Sequence, residues 1–330
     1  MSTGPGPAAQ LATTIATLSR SPEAPLLETS EWLRLADRHR LRVSRWVAGF
    51  RDRRARGTSH PVHDFLFRYY RYSPGKLEEW HPDVCTALRD SPEARERFEP
   101  PRYLARAGRI ILDPGALRPK ERVRLRWVRD LLAATSERPP NLGCFGMHEW
   151  AMVYSGEDIR HRETVPLRLS QEEVDAFVES RPMVCSHYDA FRFFSTSARP
   201  MNRVTPTLSR RLELEQPGCV HANMDLYKWS YRSMPWIGTE RLWRSFELAL
   251  RLRALDMRAS PYDLTSLGYE PIPVETEEGR RQYRREQLAF SEEAGRIRLR
   301  LIDALSQVLA LAEATPTRSE PPAPVSREGA

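Results

Sequence analysis

Apolar positions recur every three or four residues through most of this chain. Sustained alternation is almost absent, so the pattern predicts a mainly α fold, a single helical, bundle-like domain with irregular aromatic-rich segments. The first strong stripe is Trp32, Leu33, Leu35, Leu41, Val43, Trp46, Val47 and Phe50, with Arg and Asp opposite. Ser30 stands where a cap belongs, and Gly57 marks the expected end. His60 to Tyr70 is too densely aromatic to face water, and Pro61 suits the first turn of a second helix. Between Asp83 and Pro114 the periodicity fails, and Tyr103 to Leu112 reads as one short strand or an irregular segment. Pro119 opens a helix through Val123, Leu125, Val128, Leu131 and Leu132 that Pro139-Pro140 ends.

Three blocks of similar make-up follow, beginning at Gly143, Val184 and Gly218. Each sets a cysteine two to four residues before a histidine, then a carboxylate and several aromatics, and each reads as helical. A capping box at Ser170–Glu173 starts a short helix that stops at Pro182, and Arg199 to Pro217 reads as a loop. A strong stripe from Thr239 (Leu242, Phe246, Leu250, Leu252, Leu255) and a long charged helix from Thr276 to about Leu311 complete the domain, expected over residues 27–312. Residues 1–26 and the Pro-rich 313–330 read as disordered tails.

Composition changes this picture little. The net charge is +7, but of 51 basic residues only Lys76, Lys120 and Lys228 are lysine, an Arg excess that points to a GC-rich genome before it points to phosphate contacts. The four cysteines form no CxxC pair or disulfide framework, no signal peptide is evident and no window is apolar enough to span a membrane. The expectation is therefore a cytoplasmic protein with reduced thiols.

Candidate chemistry lies in the three blocks, because titratable groups in apolar sequence are expensive to bury without a role. His221 and Asp225 share the i, i+4 spacing of one helical face, as do His60 and Asp64. His187 with Asp189 and His148 with Glu149 add two closer pairs. For a metal centre the ligand candidates are His60, Asp64, His148, His187, His221 and Asp225, with iron or zinc as the implied ion, although no HExxH or other metal fingerprint is present. Trp150, Tyr154, Tyr188, Tyr227 and Trp229 are candidate walls for a stacked flat ring; each alone is better read as core. The cysteines read as small packing residues, and Lys228 is a minor candidate for a Schiff-base nucleophile. Neither a phosphate-binding loop nor a GxSxG elbow is found.

With His60–Phe67, Trp80-His81-Pro82, Gly146–Tyr154, Cys185–Phe194, Gln216–Trp229 and Leu255–Leu264 assembled, the chain resembles a bacterial family, frequent in actinobacteria, that carries the name 3-methyladenine DNA glycosylase. The likeness spans about residues 28–300. It implies a DNA-repair hydrolase that cleaves the N-glycosidic bond of alkylated purines, with DNA as partner and no cofactor. In that reading Asp225, Asp189 or Glu149 supplies the carboxylate, and His221 or His187 the proton. The helix-hairpin-helix and helical-repeat glycosylases are different, since neither their hairpin motif nor a repeat occurs here. Two other readings stand beside it: a metal-dependent enzyme acting on a small molecule, and a non-catalytic nucleic-acid-binding protein supported by basic charge alone.

Overall fold

The computed structural model describes residues 25–156 and 165–314; the expectations for residues 1–24 and 315–330 lie outside these. A short strand β1 (Leu26–Leu27) leads into helix α1 (Thr29–Ala55), so Leu26 belongs to the domain and not to a tail. Then come α2 (Phe65–Tyr70), α3 (Pro74–Glu78), β2 (Ala87–Arg89), α4 (Pro92–Arg97), β3 (Tyr103–Arg106), β4 (Arg109–Leu112) and α5 (Pro119–Ser136). The second half is α6 (Met147–Val153), α7 (Gln171–Glu179), α8 (Tyr188–Phe191), α9 (Arg211–Leu214), α10 (Val220–Arg232), α11 (Thr239–Arg258) and α12 (Glu277–Ala314). The chain is mainly α, as the periodicity predicts. Among the described residues no helix is long and apolar enough to cross a membrane.

The α1 stripe buries Trp32, Val43, Val47 and Phe50, but Leu33 and Leu41 are 37% and 71% exposed and lie off the core face. Its cap is Glu28, not Ser30: Glu28 and Glu31 exchange hydrogen bonds in a capping box. Pro61 lies in a turn ahead of α2. The weakly periodic region holds a four-stranded sheet in the order β1-β2-β4-β3, with only β1 and β2 parallel. The expected single strand at Tyr103–Leu112 is a hairpin whose turn, Ala107-Gly108, has φ of 49° and 71°. Positive φ at both central residues is what a tight hairpin needs, and Ala is an unusual choice for it, which hid the turn. The expected Arg199–Pro217 loop contains α9.

The core is continuous and centres on α10, which is buried on nearly all sides, packed against α11 and covered by α12. Two local features bring the three blocks together. Gln216 Oε1 accepts from the N–H groups of Asn141 and Gly218 at 2.8 and 2.7 Å, tying the segment before α6 to the start of α10. A Cβ at Gly218 would sit 2.7 Å from the Asn141 carbonyl, so only glycine permits that approach. The second block joins the first where the Ser195 N–H donates to the Ala151 carbonyl at 2.9 Å.

Candidate functional site

Helix α6 begins after Gly146, whose φ of 70° turns the chain so that His148 and Glu149 enter the interior while Trp150, Ala151 and Val153 face the core. Helix α10 brings His221 alongside, with the two imidazole centroids 4.1 Å apart and edge to face. Helix α11 contributes Asp256, fully buried three residues after Arg253. The ligand-capable atoms of His148, His221 and Asp256 lie within 4.8 Å of one another.

Charge explains the protonation states here. Arg253 pairs with Glu149 at 2.6 Å and with Asp256 at 3.0 Å, so two buried carboxylates face one guanidinium. His148 Nε2 lies 3.3 Å from Asp256 and 3.4 Å from Glu149. Burial alone lowers its pKa, but these carboxylates overturn that and raise it to about 9. His221 is pushed down to about 3, by burial first and by neighbouring His148 second. Burial opposes ionisation of Glu149 and Asp256; Arg253 acting mainly on Glu149, and His148 mainly on Asp256, outweigh it and hold both below the usual carboxylate range. In spite of its short contacts, His148 Nε2 makes no well-directed hydrogen bond, and neither does Asp256 Oδ1. His148, His221 and Asp256 are thus close enough together to be able to hold a metal ion.

A second cluster adjoins the first, His187 and His221 having ring centroids 5.6 Å apart. His187 caps α8 through Nδ1, which accepts the Ala190 N–H, and turns Nε2 toward Asp225 at 3.3 Å. Asp225 is saturated: Oδ1 accepts from Tyr70 at 2.8 Å, while Oδ2 takes Arg211 at 2.7 Å and Lys228 at 3.0 Å. Lys228 also bridges to Asp189 at 2.8 Å, which occupies it as a structural cation and not as a nucleophile. Although His187, Asp189 and Asp225 bring ligand atoms within 4.8 Å, the ammonium and guanidinium already hold the place a metal would need. Burial works against ionisation of Asp225 and Asp189, and Lys228 more than compensates, keeping both ionised.

Above the first cluster opens a cavity of about 370 Å³. His148, Glu149 and His221 line it on one side and Asp189 on another, with Phe65, Tyr69 and Phe193 as aromatic walls. His60 also faces it; its Nδ1 accepts the N–H groups of Val62 and His63, so Nε2 carries the proton. Burial holds this imidazole neutral, its pKa pushed down to about 4.

The structure therefore gathers His148, Glu149, His187, Asp189, His221 and Asp225, as the three blocks led us to expect. It separates out Asp64, whose carboxylate clamps Arg53 and the His60 backbone N–H, leaving no lone pair for a metal. Asp225 is 1% exposed and does not line the cavity, so it cannot meet a substrate directly. None of the five expected stacking residues lines it either. Trp150 is core and donates to the Ala259 carbonyl, Tyr227 is core, Trp229 packs on Trp127, Tyr154 turns outward to Glu179, and Tyr188 stands elsewhere on α8. On α6 the cavity face runs His148, Glu149, Met152, which leaves Trp150 behind it. Asp256 and Arg253 went unrecognised, although their signal was present: a charged pair inside the apolar run Leu250–Met257. Arg211 was obscured by the loop-like composition around it.

No family model, no curated protein and no solved structure matches this chain.

Proposed function

We propose that this protein is a metal-dependent enzyme acting on a small organic molecule in the 370 Å³ cavity, with His148, His221 and Asp256 as ligands to the ion. One observation carries the reading. Three ligand-capable side chains from three helices converge beside the cavity, which His148 and His221 line, and His148 Nε2 and Asp256 Oδ1 lack a hydrogen-bond partner. Two imidazoles and one carboxylate suit iron or zinc, and such an ion supplies Lewis acidity to a bound water or carbonyl. The protein's own groups do the rest. Arg253 fixes the carboxylates of Glu149 and Asp256. Glu149 presents a proton acceptor on the cavity wall, His60 presents an N–H donor, and Phe65, Tyr69 and Phe193 offer faces on which a flat ring stacks, each worth roughly 1–3 kcal/mol.

A second reading, excision of an alkylated purine from DNA without a cofactor, rests on a different observation. Two ionised carboxylates, Glu149 and Asp189, face one aromatic cavity that also holds the protonated His148. Ionised carboxylates favour an oxocarbenium-like sugar, and an imidazolium protonates a leaving base. Metal analysis with chelation tests the first reading: about one ion per chain, removed by chelator and missing in Asp256→Asn, is the expected result. A metal-free wild type whose melting temperature ignores added Fe²⁺ and Zn²⁺ would sink it. Release of free base from methylated duplex DNA, insensitive to chelator and lost in Asp189→Asn, would move the assignment to the second.

A further inference from the structure

Around the 370 Å³ cavity, one charge is left without a counter-charge among the described residues. Both carboxylates on its wall already face cations of the protein. Glu149 meets Arg253 at 2.6 Å, and Asp189 meets Lys228 at 2.8 Å, Arg211 at 3.3 Å and Arg192 at 3.5 Å. Arg253, which also lines the cavity, is divided between Glu149 and Asp256. Arg68 is different. It lines the cavity and is exposed, which places it at the mouth. Its guanidinium makes one long hydrogen bond, from Nη2 to the Thr58 carbonyl at 3.4 Å, and no ion pair with a described residue. Asp64, four residues before it, is held by Arg53 and by the His60 N–H.

The neighbours of Arg68 say what kind of anion fits. Phe65, Arg68 and Tyr69 stand at i, i+3 and i+4 on α2 and all line the cavity, so cation and aromatic wall share one helix face. Phe193 continues the wall, its ring centroid 6.2 Å from that of Tyr69. His60, in the turn ahead of α2, lines the cavity as well, with a neutral ring that carries its proton on Nε2. Stacking on His63, with centroids 4.0 Å apart and planes 6° from parallel, fixes that ring. An apolar ring lying along this wall therefore has a guanidinium beside it and an N–H donor close by. Both groups donate and neither accepts, which suits an oxyanion.

We propose, on the reading that the cavity is the substrate site, that its ligand is a small aromatic carboxylic acid whose carboxylate is gripped by Arg68. No bound ion is needed for this recognition. The planar fork of the guanidinium matches two carboxylate oxygens, which neither an ammonium nor a neutral amide can do. A dianionic phosphate ester asks for more positive charge than one arginine and a neutral imidazole supply. A cationic ring would meet carboxylates that the protein has already neutralised.

Calorimetric titration of the purified full-length protein with cinnamate, its neutral amide cinnamamide and the cation cinnamylammonium tests the proposal. Cinnamate should bind at least about fivefold more tightly than cinnamamide, the scale of one exposed ion pair, and the ammonium should bind weakest. Added salt should narrow the margin. Because Arg68 is exposed, Arg68→Gln leaves the core intact; in that variant the acid and the amide should bind alike. Arg68→Lys should keep part of the preference. Repeating the titrations with chelator present separates this result from the metal reading, because the preference should be the same with or without an ion. A preference for cinnamate that survives Arg68→Gln places the anion elsewhere and overturns the proposal. Equal affinities in the wild type, a preference for the ammonium, loss of the preference on chelation, or no cinnamate binding overturn it too.

Discussion

His148 sits between two carboxylates that one guanidinium cannot neutralise, and its high pKa is the direct consequence. Where a buried site needs one more positive charge, a proton and a metal ion compete for the same place. Asp256→Asn removes one of the negative charges, so bound metal should fall by about one ion per chain while the chain stays folded. Retention of wild-type metal content would separate Asp256 from the site. The tyrosines make a sharper distinction between core and function. Tyr227 is fully buried with an unpartnered hydroxyl, so Tyr227→Phe should change stability by less than about 1 kcal/mol and leave ligand binding alone. Tyr70 donates to Asp225 at 2.8 Å, so Tyr70→Phe should cost about 1–3 kcal/mol in urea unfolding. Equal effects from the two variants would contradict this account. The same contrast shows what the sequence makes legible at this scale. Histidines and carboxylates in aromatic surroundings do converge, yet which aromatics join them depends on helix facing, as Trp150 and Phe65 demonstrate. Asp256 lacks that setting: its neighbours in the run Leu250–Met257 are apolar residues and arginines, with no histidine near it in sequence.

At the scale of elements, the site depends on segments that hydrogen bonding, not periodicity, puts in place. The segment before α6 meets the N-terminus of α10 at Gly218, with no space for a side chain against the Asn141 carbonyl. Gly218→Ala should cost about 1–3 kcal/mol by forcing these segments apart, measured by thermal unfolding. It should also weaken metal binding, because His148 and His221 ride on them; an unchanged melting temperature would show that the approach is not constrained. Helix α1 contains a pH-dependent contribution of its own. His39 is 1% exposed, with Nδ1 accepting from Arg42 at 3.3 Å and Nε2 facing the Leu77 carbonyl at 2.8 Å, the pattern of a neutral ring. Burial pushes its pKa down to about 4 from an ordinary 6.5. The folded state therefore prefers the neutral imidazole. This stability is intact above pH 6.5 and drains away as pH falls toward 4. His39→Gln should shrink the loss between neutral and acid pH by up to about 3 kcal/mol in urea unfolding, and an identical pH slope in the variant would contradict it. Long helices such as α1, α5, α11 and α12 were legible because each presents a repeated apolar stripe. The sheet was not, because strands of two to four residues carry no visible alternation and the Ala107-Gly108 turn lacks the usual Asn or Asp.

Across the whole molecule, one continuous core surrounds a small polar interior split into three adjoining parts. These are a cation seat at His148, a closed ion-pair network at Asp225, and a thiol-lined chamber behind them. The cavity meets the first through His148, Glu149 and His221, and the second only at Asp189. The net charge of +7 has no such focus: the buried arginines that shape the interior, Arg211 and Arg253, are spent on carboxylates inside it. The central claim is the cation seat, and the difference in metal content between purified wild type and Asp256→Asn, measured by elemental analysis, tests it most directly. A difference close to one ion per chain is the predicted result; equal metal content in the two proteins would contradict it.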